Sequence, residues 1–165
     1  MKLPLYYLIF FTLTASLFTG CAGIMTGTGK QEVKQENRIE LVRAPEVKGV
    51  WSGNDLTVSY LYSLTEQTMK INGTITLTKH LNNYSVIDRL HLYLHFVDAG
   101  GMTTGQSLVY IAPYRKGISM LNLNFSRLIT VPPGAEAMAF TYAGQVSDGI
   151  GSEDGAISWN FWNSL

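Results

Sequence analysis

The stretch Leu90-His91-Leu92-Tyr93-Leu94-His95-Phe96 alternates apolar residues with histidine and tyrosine at every second position. Successive side chains of a β-strand point to opposite faces of a sheet, so this alternation predicts a strand with one core face and one solvent face. The pattern of residues 107–112 predicts a further, less regular strand. Similar alternation marks the stretches 56–62, 71–77, 121–125, 138–142 and 157–161.

Turn signals separate these stretches, among them Asn82-Asn83, Ala99-Gly100-Gly101 and Pro132-Pro133-Gly134. No segment has a sustained helical period with caps. Seven or eight antiparallel strands predict an all-β fold over residues 48–165, with two packed sheets. A closed barrel is the alternative.

The composition of the chain excludes several classes of function. The chain has 165 residues, with 12 Lys and Arg against 12 Asp and Glu, and one cysteine. The length suits a single folded domain. Zero net charge argues against electrostatic binding to the phosphate backbone of a nucleic acid, so we expect no nucleic-acid partner. A single cysteine excludes an internal disulfide or a multi-cysteine zinc cluster.

The first twenty residues have the order of a secretory signal: Lys2, then an almost wholly apolar run to Phe18, then small residues. The sequence Leu17-Phe18-Thr19-Gly20-Cys21 resembles the lipobox of bacterial lipoproteins. That resemblance implies removal of residues 1–20 and lipid attachment, as by palmitate, at Cys21. Ala22 at the next position implies sorting to the outer membrane of the bacterial cell envelope. An uncleaved transmembrane helix and an incidental cysteine are the alternatives.

Charged residues crowd the segment that follows. Nine of them lie between residues 30 and 48, with alternating sign and no strong apolar face. We therefore predict that residues 21–47 form a flexible, lipid-anchored tether with a root-mean-square span of about 25–30 Å. In the alternative interpretation, Ile39, Leu41 and Val42 begin a first strand or a short helix.

Several stretches follow one another along the chain: Gly73-Thr74-Ile75-Thr76, Asn82-Asn83, Leu92 to Gly101, and Pro132-Pro133-Gly134 before Met138-Ala139-Phe140. Their order is similar to that of the immunoglobulin-like sandwiches of the FxLYD type and the late-embryogenesis-abundant type. The FxLYD string itself is absent, and the nearest text is Leu94-His95-Phe96-Val97-Asp98. The resemblance implies an immunoglobulin-like β-sandwich of seven or eight strands that acts as a non-enzymatic accessory or binding module.

Catalytic and metal-binding patterns are weak. His91 and His95 are four residues apart, which along a strand is about 13 Å and too far for one metal ion. The residues Asp148, Glu153 and Asp154 lack the spacing of an EF-hand loop. No Gly-x-Ser-x-Gly elbow or phosphate-binding loop is present. We predict no catalytic residues, no cofactor and no bound metal.

A possible binding face remains. His91, Tyr93 and His95 should lie on the outer side of their strand, and Trp162 is out of phase with Trp159 and Phe161. We expect a non-catalytic envelope lipoprotein that binds or supports an envelope protein, through this face or a sheet edge. The alternative is a small-ligand or metal carrier that uses the His/Tyr face.

Overall fold

A computed structural model describes residues 29–112, 115–116, 123–148 and 157–165. Residues 1–28, which include the predicted signal peptide and Cys21, lie outside this part of the chain. Two 3₁₀ turns occupy Gln35–Asn37 and Leu81–Asn83, and no described helix is long and apolar enough to cross a bilayer. The strands are β1 (Ile39–Glu40), β2 (Val47–Ser52), β3 (Leu56–Thr65), β4 (Thr68–Leu77), β5 (Val86–Asp98), β6 (Thr103–Ala112), β7 (Arg115–Lys116), β8 (Leu123–Thr130), β9 (Ala135–Ser147) and β10 (Ser158–Asn163).

The strands form two antiparallel sheets. One sheet has the order β2-β3-β4-β8. In the other sheet, β5 and β9 are the central pair. Strands β6 and β7 pair with the other edge of β5, and strands β1 and β10 pair with the other edge of β9. From β3 onward, the strands divide between the sheets as in an immunoglobulin-like sandwich. The predicted all-β sandwich is confirmed, and the described strands do not close into a barrel.

The period-two pattern decides which face is buried. The inward residues of β5, from Leu90 to Phe96, are all buried, and each contributes about 1.5–3 kcal/mol on full burial. Strand β10 departs from the prediction: Phe161 is buried, but Ile157 is 66% exposed and Trp159 50% exposed. Because β10 pairs with β9 alone, it lies at the edge of its sheet, where alternation alone does not ensure burial.

Three cross-strand pairs place an aromatic ring over a glycine on the inner face of a sheet. A Cβ atom added to Gly144 would collide with the Phe161 ring. Glycine is required where a ring approaches the backbone this closely. The three pairs are Tyr60 over Gly49, Phe125 over Gly73 and Phe161 over Gly144.

The described part of the segment predicted to be a tether packs against the sandwich. The Val33 side chain is fully buried with Val97 and Ala139, and its N–H donates to the Gly101 carbonyl at 2.9 Å. The Arg38 guanidinium donates back to the Val33 carbonyl through Nε at 2.8 Å and Nη2 at 2.6 Å. Isolated apolar residues therefore hold this charged segment in place, a contact that charge patterning does not reveal.

The boundary of the sandwich shifts accordingly. Ile39 and Glu40 pair with Met138 and Ala137 of β9, so Ile39 begins a strand, as the alternative interpretation proposed. A flexible tether over all of residues 21–47 is wrong for residues 29–47. A free tether over residues 21–28 stays a prediction.

Candidate functional site

The outer face of the six-stranded sheet brings Trp162 and His91 into one row. Trp162 of β10 lies opposite Ala143, Ala143 opposite His91, and His91 opposite Ile111 of β6. Directly opposed residues of an antiparallel sheet share a face. The expectation that Trp162 lies outside the core is confirmed, since its side chain is 68% exposed.

A second row lies beside the first. Tyr93 is opposite Thr141 on one side and Leu108 on the other. Leu108 and Ile111 are 41% and 49% exposed. The six residues Trp162, Ala143, His91, Ile111, Tyr93 and Leu108 are called the Trp162 face below.

Leu108 and Ile111 were not found from the sequence. They are an odd number of residues apart, which in a regular strand would place them on opposite faces. A register shift between Leu92 and Tyr93 inserts one extra residue into β6, so both side chains reach the outer face. In the sequence, only the irregular alternation of residues 107–112 points to this extra residue in β6.

The rings of His91 and Tyr93 contact each other within this face. Their centroids are 6.2 Å apart and their planes are nearly perpendicular, at 73°. Such edge-to-face contacts add about 0.5–1.5 kcal/mol beyond area burial. Both residues are half-buried, so the contact restrains two rings that still border solvent.

His95 does not belong to the exposed face, which corrects the prediction for this residue. Its side chain is only 8% exposed, and its Nε2 atom lies 2.8 Å from the Thr141 hydroxyl. It is opposite Ala139, which packs with Val33 of the N-terminal segment. The N-terminal segment therefore covers a part of the outer face that the alternation in β5 predicts to be exposed to solvent.

Burial lowers the pKa of His95 below its ordinary value of 6.5, because desolvation disfavours the charged imidazolium. The unfolded chain therefore binds a proton at a higher pH than the folded chain. We expect the free energy of unfolding to be fully retained above pH 6.5 and to fall as the pH drops from about 6.5 through the folded-state pKa. Urea unfolding followed by circular dichroism between pH 8 and pH 5 measures this dependence.

The matched variants are His95→Gln and His91→Gln. His95→Gln should weaken the acid dependence, because glutamine does not titrate, while His91→Gln should leave it in place. An unchanged acid slope in His95→Gln would show that another group carries it.

The geometry gives no support to a metal site. Among the residues described, no group of three or more His, Cys, Asp and Glu side chains is close enough to hold an ion. His91 and His95 differ in burial, and His80 lies instead beside Asp55, with Nε2 3.2 Å from Oδ1. Of the predicted site residues, His91, Tyr93 and Trp162 share one face, His95 is buried opposite Ala139, and Cys21 lies outside the described residues.

Comparison with known proteins adds no relative from which a role could be transferred. No protein-family model matches the chain, and no curated protein or solved structure matches it either.

Proposed function

We propose that this protein is a lipid-anchored, non-catalytic β-sandwich of the bacterial cell envelope that binds an envelope protein through the Trp162 face. One observation supports the proposal above others: an exposed tryptophan lies in register with Ala143, His91 and Ile111 across four strands. Tryptophan and tyrosine are enriched among the residues that contribute most to binding between proteins.

The shape and chemistry of the face suit a protein surface better than a small molecule. The face belongs to a broad sheet and carries the exposed apolar side chains of Trp162, Ile111 and Leu108. Adjacent exposed apolar residues on one surface are typical of a site that a partner covers. Within the described ranges, no cluster of metal-ligating side chains supports the metal-carrier alternative.

The proposed anchor also limits the distance between the domain and the membrane. The N-terminal segment joins the sandwich beside the β5–β6 turn, where the Thr103 N–H donates to the Gln31 carbonyl at 2.9 Å. Residues 21–28 extend at most about 28 Å, at no more than about 3.5 Å per residue. The β5–β6 turn would therefore lie within about 28 Å of the membrane.

We expect Trp162→Ala and Ile111→Ala to lower partner affinity by about tenfold or more each, or about 1.4 kcal/mol. The test places a photo-crosslinking amino acid at position 162 of the full chain in intact cells and identifies the adduct. The affinity of the identified partner for each variant is then measured. The control is Leu128→Ala, because Leu128 is 74% exposed on the other sheet.

Equal affinity in Trp162→Ala, Ile111→Ala and Leu128→Ala would contradict the proposal for the face. The lipid anchor is tested separately, by measuring the mass of the mature chain and by membrane fractionation of the Cys21→Ser variant. A mature chain that keeps residues 1–20 with an unmodified thiol would contradict the anchor and leave the face intact.

A further inference from the structure

A second candidate site lies at the end of the sandwich far from the β5–β6 turn. It is an open pocket of about 410 Å³. Small-molecule sites typically measure about 300–1,000 Å³ and are mostly apolar with a few polar groups. The lining residues are His80, Asn83, Tyr84, Asp148, Ile157 and Trp159.

Two apolar side chains are exposed here, although the pattern of β10 predicts both for the core. Trp159 is opposite Val146, which is fully buried, yet half of the indole remains accessible. Ile157, just before the strand, is more exposed still. An indole and an aliphatic side chain beside polar groups form an amphipathic surface, since tryptophan has a flat apolar face and a polar N–H edge.

The polar side of the pocket is held by the fold. His80 lies between two partners: its Nε2 is 3.2 Å from Asp55 Oδ1, and its Nδ1 is 2.9 Å from the Thr78 hydroxyl. The 3₁₀ turn Leu81–Asn83 is closed by the Tyr84 N–H, which donates to the Leu81 carbonyl at 3.2 Å. Tyr84 also packs against the main core. Because this side of the pocket is held in place before a ligand binds, binding against it costs little entropy.

We propose that this pocket binds a neutral sugar ring. The C–H face of a pyranose is apolar and fits against an indole, while its hydroxyls need donors and acceptors at the rim. The Asn83 amide can donate and accept, and the Asp148 carboxylate accepts. The same carboxylate disfavours an anionic ligand. A purely apolar ligand would remove these polar groups from water without compensating hydrogen bonds.

The test uses two neutral disaccharides, cellobiose and di-N-acetylchitobiose, with the full chain in detergent micelles. Saturation-transfer difference NMR reports which sugar protons contact the protein. We expect transfer to ring C–H protons of at least one disaccharide, and a loss of affinity of about tenfold or more in Trp159→Ala. Asp148→Asn, at an exposed position, should also weaken binding without affecting the fold.

Trp162→Ala is the matched control, because Trp162 is on the same strand but points to the opposite face. It should bind both sugars like the unaltered chain, so failure of the Trp162 face and failure of the sugar pocket are separate results. Absence of transfer from the unaltered chain to either disaccharide would overturn the proposal. Equal affinity of the unaltered chain, Trp159→Ala and Asp148→Asn would also overturn it.

Discussion

Phe161→Ala is expected to lower the free energy of unfolding by about 3–5 kcal/mol, as is typical of a buried phenylalanine. The ring covers Gly144 of β9 and contacts Tyr142, with centroids 6.0 Å apart. Removing it leaves a cavity over a residue that has no side chain to fill the space. Urea unfolding followed by tryptophan fluorescence measures the change.

The adjacent Trp162→Ala is the control, because its side chain is exposed and its loss should change stability by no more than about 0.5 kcal/mol. Gly144→Ala adds a further check. Gly144→Ala alone should lower the free energy of unfolding, because the new methyl group displaces the Phe161 ring. In the double variant with Phe161→Ala, the loss of stability should be smaller than the sum of the two single losses. Additive effects would show that the ring does not cover Gly144.

Tyr142→Phe is expected to lower the free energy of unfolding by about 1.5–3 kcal/mol, the usual contribution of a hydrogen bond to a charged group. The Tyr142 hydroxyl donates to Asp55 Oδ2 at 2.7 Å and accepts from the Asp55 N–H at 3.1 Å. This contact joins β9 to the turn between β2 and β3, which belong to the opposite sheet. Phenylalanine keeps the ring but leaves both Asp55 groups without this partner.

Alkaline pH gives an independent measure of the same contact. Burial, followed by the hydrogen bond to Asp55, raises the pKa of Tyr142 above its ordinary value of 10.0. The folded chain therefore keeps a proton that the unfolded chain loses, and stability falls as the pH rises above 10. That fall should be smaller in Tyr142→Phe and unchanged in Tyr93→Phe, a variant of the outer face. Equal stability of Tyr142→Phe and the unaltered chain at pH 7 would contradict the proposed link.

The strands could be predicted because alternation is a local property. The pattern from Leu90 to Phe96 decides the strand, its inner face and the outward position of His91 without knowledge of any partner strand. The exposure of Trp162 follows in the same way from its phase relative to Phe161. Strand β2 was missed because its six residues contain Gly49 and show no strong alternation.

Burial of the outward positions could not be predicted, because it depends on which distant segment covers them. His95 and His91 have the same phase, but His95 lies opposite Ala139, on which Val33 packs, and only His95 of the two is buried. Ile111 reached the outer face through a bulge whose position is defined by pairing between β5 and β6. The contact between Tyr142 and Asp55 joins residues 87 positions apart.

The sequence by itself determined an all-β chain, the phase of its main strands and an indole outside the core. Those features follow from backbone geometry, which places alternate side chains on opposite faces whatever the neighbours are. Only the tertiary structure decided that residues 29–47 pack on the sandwich, that His95 is buried and that six side chains line a pocket at one end. These depend on contacts between segments far apart in the chain, and no local periodicity specifies which segments meet.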